Sequence, residues 1–317
     1  MASSGSFWMP EQGSTIAADV DTLFDFIYYL NVIFFVLITA ATIYFVVKYK
    51  RKSDDQLASS NVGHNTALEA AWTFVPLVLV IICFVWGFRV FLDQSVAPAN
   101  ALEVQVKAEK WKWNFQYSNG SQTLNELFAP AGRPVKLVMS SKDVLHSFFV
   151  PNFRIKSDVV PNRYTSVWFE AKEPGDYQIY CTEYCGTGHS SMLATVKVLP
   201  AEEFDKAMLK GEWPGQSGEG RDPVEWGKEL YVSKTCNACH SVDGSRLVGP
   251  SFKGLFGKDE KMTDGATVKV DENYIRESIM DPNAKIVEGY APAMPSFAGQ
   301  LSDGQTDALI AYIKSLK

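Results

Sequence analysis

Two cysteines, a histidine and a methionine occur together in residues 181–192, as Cys181, Cys185, His189 and Met192. A further histidine, His146, lies upstream. Thiolate, imidazole and thioether groups are typical copper ligands, and a long axial methionine is typical of electron-transfer copper. A mononuclear blue-copper site needs only one cysteine. Two thiolates facing each other on one loop therefore predict a bridged pair of copper ions, with little reorganisation on reduction.

Three other interpretations of this segment stay open from spacing alone. Cys181 and Cys185 can form a disulfide in an oxidising compartment. The same residues can bind zinc, although methionine is a poor zinc ligand. His189 and Met192 can also be ordinary loop residues. The coincidence of five soft or borderline ligands favours copper.

A second cluster, Cys236-Asn237-Ala238-Cys239-His240, has the spacing of a c-type haem attachment site. In that interpretation the cysteines form thioether bonds and His240 is the proximal iron ligand. A redox dithiol and a chance Cys-x-x-Cys are the alternatives, and both are disfavoured by the adjacent histidine.

The sixth iron ligand should be a methionine or histidine. No histidine follows His240, which leaves Met262, Met280 and Met294. Prolines on both sides of Met294 would restrict its loop and hold the thioether in place. Met294 is therefore the predicted ligand.

Two long apolar segments, residues 26–47 and 70–88, contain no charged residue. The first corresponds to about 33 Å of helix, which is enough to cross a bilayer. The residues between them include Lys48, Lys50, Arg51 and Lys52, whereas residues 1–47 have no Lys or Arg. This distribution predicts a two-helix hairpin with an inner connection and both termini outside. The first segment lacks the charged start and cleavage site of a signal peptide.

Residues 100–199 change to an apolar period of two, which predicts short strands in an antiparallel sandwich or barrel. Trp111, Trp113, Phe115 and Tyr117 alternate with polar residues, and the slip between Ala108 and Trp111 is expected to mark a bulge. Helices are predicted over 202–212, from about 224, and over 272–280 and 303–316. Residues 214–223 have the composition of a flexible linker.

Length and composition exclude two broad classes of protein. The chain has 317 residues, of which 46% are apolar, so it is not mainly disordered. Its 30 basic and 36 acidic side chains give a net charge of −6, so nucleic-acid binding is not expected.

The chain from residue 22 to about 200 resembles subunit II of haem–copper cytochrome c oxidases. The pattern Cys-x-Glu-x-Cys-Gly-x-x-His-x-x-Met at 181–192 is highly specific to proteins with the binuclear copper centre CuA. The resemblance extends to the segments 68–76, 111–117 and 143–148. Residues 236–317 are similar to class I cytochromes c.

The resemblance implies a cupredoxin-type barrel with CuA held by His146, Cys181, Cys185, His189, Met192 and the main-chain carbonyl of Glu183. It further implies that the Glu183 carboxylate helps to bind magnesium against subunit I. Trp111 would be the site of electron entry, and Lys112 replaces the tyrosine that the family has after this tryptophan. Glu69 would lie at the mouth of a proton path, although by position alone it could be an ordinary headgroup-level acid. His64 is expected to be a solvated side chain.

The implied organisation is an outer segment (1–22), a transmembrane hairpin (23–93), a cupredoxin-like domain (94–213), a linker (214–223) and a cytochrome c domain (224–317). This is the arrangement of caa3-type oxidases. The expected partners are membrane lipid, subunit I with its haem and CuB, subunit III, and cytochrome c or a quinol:cytochrome c reductase as donor. Oxygen would be reduced in subunit I, which pumps protons, and the metal domains would lie outside a bacterial cell membrane. A nitric oxide or nitrous oxide reductase and a copper carrier are the rival functions.

Overall fold

The computed structural model describes residues 5–57, 60 and 62–317. It begins with two long helices, α1 (Ala17–Tyr49) and α2 (Thr66–Ser95), which contain the two predicted spans. Both are long and apolar enough to cross a membrane, and almost none of their apolar side chains is buried in the protein. They pair with each other, with the Phe26 and Trp86 rings 5.4 Å apart. Apolar side chains that the protein does not cover are suited to lipid.

The middle of the chain folds into two five-stranded sheets, as the period-two pattern predicts. Their strands are β1 (Leu102–Glu109), β2 (Lys112–Gln116), β3 (Gln122–Leu124), β4 (Glu126–Pro130), β5 (Pro134–Ser141), β6 (His146–Val150), β7 (Ile155–Val159), β8 (Thr165–Glu170), β9 (Gly175–Cys181) and β10 (Leu193–Leu199). One sheet has the order β3-β2-β1-β5-β8 and the other β4-β10-β9-β6-β7. The prediction of an antiparallel arrangement is wrong in part, because β1 pairs with β5, and β4 with β10, in parallel. The shared core includes Trp113, Phe115, Phe128, Phe148 and Phe169, all fully buried.

The predicted bulge between Ala108 and Trp111 is wrong. The chain reverses there, so that β1 and β2 pair as an antiparallel hairpin with Glu109 opposite Lys112. The slip in the apolar alternation therefore marks a tight turn between two strands. A turn and a bulge both interrupt a period-two pattern, and only the strand pairing distinguishes them.

Residues before α1 pack along the β domain. Gly13 donates its N–H to the Asn152 carbonyl (2.9 Å) and accepts from the Lys172 N–H (2.9 Å). A Cβ at Gly13 would lie 2.8–2.9 Å from the rings of Tyr177 and Phe153. This close approach explains why a glycine occupies the position.

The last part of the chain is helical, with α3 (Ala201–Lys210), α4 (Pro223–Ser233), α5 (Glu272–Met280) and α6 (Asp303–Ser315), and a two-stranded sheet of β11 (Asp259–Lys261) and β12 (Thr267–Lys269). The predicted bounds of α5 are confirmed, and the other three helices agree with prediction to within two residues. Asp222 caps α4, and Ser302 and Gln305 form a capping box on α6.

The crossing of α4 and α6 depends on Gly227. A Cβ at this position would lie 2.0 Å from the Ala308 carbonyl oxygen. We predict that Gly227→Ala destabilises the helical domain by about 1–3 kcal/mol, because the helices must move apart. Amide hydrogen exchange of α4 and α6 measures this loss.

Gly304→Ala is the matched control, because Gly304 is also helical and its nearest non-neighbour atom would be 3.6 Å from a new Cβ. This change should be neutral or stabilising by up to about 1 kcal/mol. Equal protection of α4 and α6 in the two variants would contradict the steric explanation.

Candidate metal and haem sites

Strand pairing assembles the first cluster. β9 ends at Cys181, β10 begins at Leu193, and the loop between them carries Cys185, His189 and Met192. β6 begins at His146 and pairs with β9, with Phe148 opposite Cys181. The sheet thus brings the upstream histidine to the loop.

All the predicted copper ligands meet in this cluster. The Cys181 and Cys185 sulfurs are 3.8 Å apart and are not joined in a disulfide. His146 Nδ1 lies 3.9 Å from the Cys181 sulfur, and His189 Nδ1 lies 3.5 Å from the Cys185 sulfur. The Met192 sulfur is 3.8 Å from that of Cys185, and the Glu183 carbonyl is 3.4 Å from that of Cys181. His146, both cysteines and Met192 are buried.

The two thiols affect each other's ionisation. Burial opposes ionisation of Cys181, but hydrogen bonding with His146 and nearby backbone groups lowers its pKa. Burial and the negative charge of Cys181 raise the pKa of Cys185. Two thiolates so close together need neutralising cations, and soft sulfur with imidazole is a donor set that fits copper.

Asp143 orients the imidazole of His146. Its carboxylate oxygen lies 2.8 Å from His146 Nε2, so that Nδ1 is left on the Cys181 side of the ring. Although burial opposes it, hydrogen bonding to Cys181 and Asp143 raises the pKa of His146. A carboxylate behind a metal-ligating histidine fixes the ring and increases its basicity.

Trp111 is packed directly on the ligand loop. Its indole N–H donates to the Cys185 carbonyl at 3.2 Å. A Cβ at Gly188 would lie 2.5 Å from the ring, and one at Gly186 would lie 3.2 Å from it. The glycines of the loop therefore provide the space that the indole occupies.

Glu69 lies in the first turn of α2, where its carboxylate is 2.8 Å from His64 Nδ1 and accepts a hydrogen bond from the Asn65 N–H. His64 is 69% exposed, as expected, and it has this acidic partner that the sequence did not suggest.

The second cluster borders a cavity of about 1390 Å³, counting the open space at its mouth. Cys236, Cys239, His240 and Met294 all line it, among mostly apolar side chains. Met262 and Met280 are not among the described residues that line it. The cavity and its four donor side chains fit a covalently attached haem.

His240 is fixed on the cavity wall. Its Nδ1 donates to the Pro250 carbonyl at 2.8 Å, which leaves Nε2 available for iron. The ring stacks on Phe252 with centroids 4.5 Å apart, and a Cβ at Gly249 would lie 2.5 Å from it. Burial lowers the pKa of His240, so the imidazole is neutral, as an iron ligand must be.

The ionisation of the two cavity cysteines argues against a redox dithiol. Burial raises the pKa of Cys236 to about 12 and also raises that of Cys239. A reactive dithiol needs a lowered thiol pKa and an electropositive environment.

Sequence reasoning missed three residues at these sites. Asp143 occurs in the segment 143–148 that carries His146, so its role could have been suspected. Gly188 gave a weaker signal, as one of two glycines between metal-ligand candidates. Lys112 gave none, because a lysine that alternates with aromatic residues carries no sign of burial, whereas it is 1% exposed.

We predict that Asp143→Asn lowers copper affinity about 10–100-fold, because the histidine loses its anionic support. Competition against a chelator of known affinity measures the change. Asp158→Asn is the control, since that carboxylate accepts from Ser147 Oγ (2.7 Å) and not from the imidazole. Equal affinities in the two variants would rule out the orienting role.

Comparison with known families identifies three regions of the chain. Residues 2–90 match the transmembrane domain of cytochrome c oxidase subunit II. Residues 121–199 match the periplasmic domain of the same subunit. Residues 224–317 match cytochrome c.

Curated relatives match over most of their length. Cytochrome c oxidase subunit 2 of Alkalihalophilus pseudofirmus is 33% identical over 89% of this chain and 83% of its own. The protein of that name from Bacillus sp. strain PS3 is 27% identical over 84% of this chain and 79% of its own. The chain therefore belongs to the cytochrome c oxidase subunit 2 family, with two apolar N-terminal helices, a cupredoxin-like domain and a C-terminal cytochrome c domain.

Proposed function

We propose that this chain is the electron-entry subunit of a caa3-type oxidase. It would pass electrons from its covalently bound haem c to a binuclear CuA centre, and then to the oxygen-reducing, proton-pumping subunit I. The observation that carries the proposal is the position of Trp111. This residue lines the cavity that holds Cys236 and His240, and it also donates to the carbonyl of Cys185.

The copper ligands would be His146, Cys181, Cys185, His189, Met192 and the Glu183 carbonyl. When bound, a thiolate-bridged copper pair and a haem iron each supply a one-electron redox group. The protein would keep the copper ligands in place by burial and by the β6–β9 pairing. Held rigidly, the ligands would move little when the charge of the site changes.

In the cavity, Cys236 and Cys239 would attach the haem, and His240 and Met294 would hold its iron. The Pro250 carbonyl holds the His240 ring, and Pro295 directly follows Met294. Both ligands would thus be presented by restrained segments.

The remaining roles concern the complex and the membrane. The Glu183 carboxylate would bind magnesium against subunit I, and Glu69 would lie at the mouth of a proton path. The basic residues that follow α1, such as Arg51 and Lys52, support an inner connection in a bacterial cell membrane, with the metal domains outside. Subunit III and a cytochrome c or quinol:cytochrome c reductase would complete the set of partners.

A nitric oxide or nitrous oxide reductase is the alternative recipient of the electrons. Glu69, together with Trp72, Thr73 and Pro76, favours the oxidase, because the resemblance associates this segment with oxidases. A neighbouring gene for a twelve-span subunit with oxidase ligands would decide between them. A copper carrier would need an exchangeable single-copper site and no haem, so the cytochrome c domain argues against it.

Spectroscopy of the purified full chain tests the proposed centres. We expect c-type haem absorption and a copper electron-spin-resonance signal of seven lines, because one electron is shared by two copper nuclei. A four-line signal would indicate a single ion and would contradict the assignment. Cys185→Ser should abolish the seven lines, whereas Cys83→Ser, which lies in α2, should leave them unchanged.

We predict that Trp111→Phe slows haem-to-copper electron transfer about 10–100-fold, because it removes the indole ring and its hydrogen bond to the Cys185 carbonyl. Photoinduced electron injection into the haem measures the rate. Trp168→Phe is the control. Trp168 lies in β8, at the opposite edge of the sheet from β2 and β3, whereas Trp111 directly precedes β2. Equal rates in both variants would exclude Trp111 from the path.

A further inference from the structure

Two lysines, Lys112 and Lys234, are each only 1% exposed. Lys112 belongs to the β domain, and Lys234 follows α4 of the cytochrome c domain. Lysine is almost never fully buried unless its charge is paired and hydrogen-bonded. The partners of these two lysines therefore show what buries them.

Lys112 reaches from the β domain into the cytochrome c domain. Its ammonium donates to the Ser296 carbonyl and to the Gln300 side chain, both at 3.1 Å. It also lies 4.4 Å from the centre of the Phe297 ring and 3.3 Å from the Glu109 carboxylate. Its partners in the cytochrome c domain all belong to the segment that follows Met294.

Lys234 reaches in the opposite direction. Its ammonium donates to the Leu124 carbonyl at 2.8 Å and to the Glu126 carboxylate at 2.9 Å. Although burial opposes ionisation of Glu126, the charge of Lys234 lowers the pKa of this carboxyl. Beside this pair, the Asn125 side chain donates to the Ser233 carbonyl at 2.9 Å.

An apolar contact accompanies the two lysines. Leu124 belongs to β3 of the β domain, yet it is fully buried and packs in the apolar core of the cytochrome c domain. Moving the domains apart would expose this side chain to water. It would also break the hydrogen bonds of both ammonium groups.

The contacts lie on both sides of the predicted haem attachment. Lys234 comes two residues before Cys236, and Ser296 comes two residues after Met294. In the β domain, Lys112 directly follows Trp111, and the Asn125 side chain accepts from the Trp113 N–H at 2.8 Å. The segment after Met294 is thus fixed on β2 itself, through Lys112. The segment before Cys236 is fixed on residues 124–126, which are hydrogen-bonded to β2.

We propose that Lys112 and Lys234 form a reciprocal clamp, in which each domain contributes one buried lysine to the other. This clamp holds the cytochrome c domain in a fixed, docked position on the β domain. The inference rests on the proposed haem-to-copper electron transfer, for which the two lysines act as positioning residues. A clamped domain does not need to swing on residues 214–223 to deliver each electron. Because buried ion pairs are screened little, the transfer rate is expected to be insensitive to salt.

The test uses the full chain in the purified oxidase complex, with Lys112→Met, Lys234→Met and the double variant. Methionine keeps the apolar stem of lysine and removes the donors. Lys107→Met and Lys228→Met are matched controls, because both lysines are exposed, one in β1 and the other in α4. Amide hydrogen exchange of residues 122–126 and 294–301 measures whether the two domains are docked. The rate of flash-induced haem-to-copper electron transfer, measured at increasing salt, shows whether docking affects the transfer.

In the double variant, we expect both segments to lose protection by at least about tenfold, since several hydrogen bonds to charged groups are removed. The transfer rate should fall by at least a similar factor and become dependent on salt. Both controls should behave as the unmodified protein does. Unchanged protection and rate in the double variant, or a steep loss of rate with salt in the unmodified protein, would overturn the clamp.

Two further measurements keep the outcomes separate. If a lysine variant does not incorporate copper and haem, Glu126→Leu and Gln300→Leu remove the side-chain acceptors of Lys234 and Lys112 instead. The hydrogen exchange and the transfer rates of these variants then decide in the same way. If the unmodified protein lacks the seven-line copper signal or the haem absorption, the proposed function fails. The exchange experiment then still decides whether the two domains are clamped.

Discussion

The main physical constraint on the β domain is the electrostatic repulsion that two thiolates would feel at Cys181 and Cys185. The sulfurs of these buried side chains are 3.8 Å apart. Ionising one raises the pKa of the other, so an empty site cannot readily hold two negative charges. The fold nevertheless keeps the pair together, because β9 fixes Cys181 and the loop into β10 brings Cys185 back to it. A pair of cations would relieve the repulsion, and the surrounding imidazole and thioether groups suit copper.

The same loop also determines where Trp111 lies. Gly186 and Gly188 provide space for the indole, and the Cys185 carbonyl accepts its N–H. Substitutions at these positions would therefore disturb the proposed copper ligands and the neighbouring aromatic ring together. This arrangement explains why a loop dense in ligands also contains glycines with no ligand role.

The cytochrome c domain has a different task under the proposed function, which is to present two proposed iron ligands from distant parts of its sequence. The close crossing of α4 and α6 at Gly227 holds its two ends together. His240 is then fixed by the Pro250 carbonyl, and the segment after Met294 is held by Lys112 of the other domain. The contacts between the two domains thus position both a wall of the cavity and the tryptophan that packs on the ligand loop.

The cysteine, histidine and methionine ligand candidates, the two apolar helices, and the β or helical character of each domain could be predicted from local spacing and periodicity. The cupredoxin class and the Glu183 carbonyl as a ligand were implied only by the resemblance to a known family. The spacing of 181–192 and of 236–240 is a local property, and so is the length of an apolar segment. The turn between β1 and β2 could not be separated from a bulge, because strand pairing decides between them. The roles of two further residues also became clear only from three-dimensional contacts. Asp143 orients the His146 ring, and Gly188 leaves the space that the Trp111 ring occupies. The burial of Lys112 could not be predicted from the sequence, because its partners Ser296 and Gln300 lie far along the chain. Only the tertiary structure brings these residues to it.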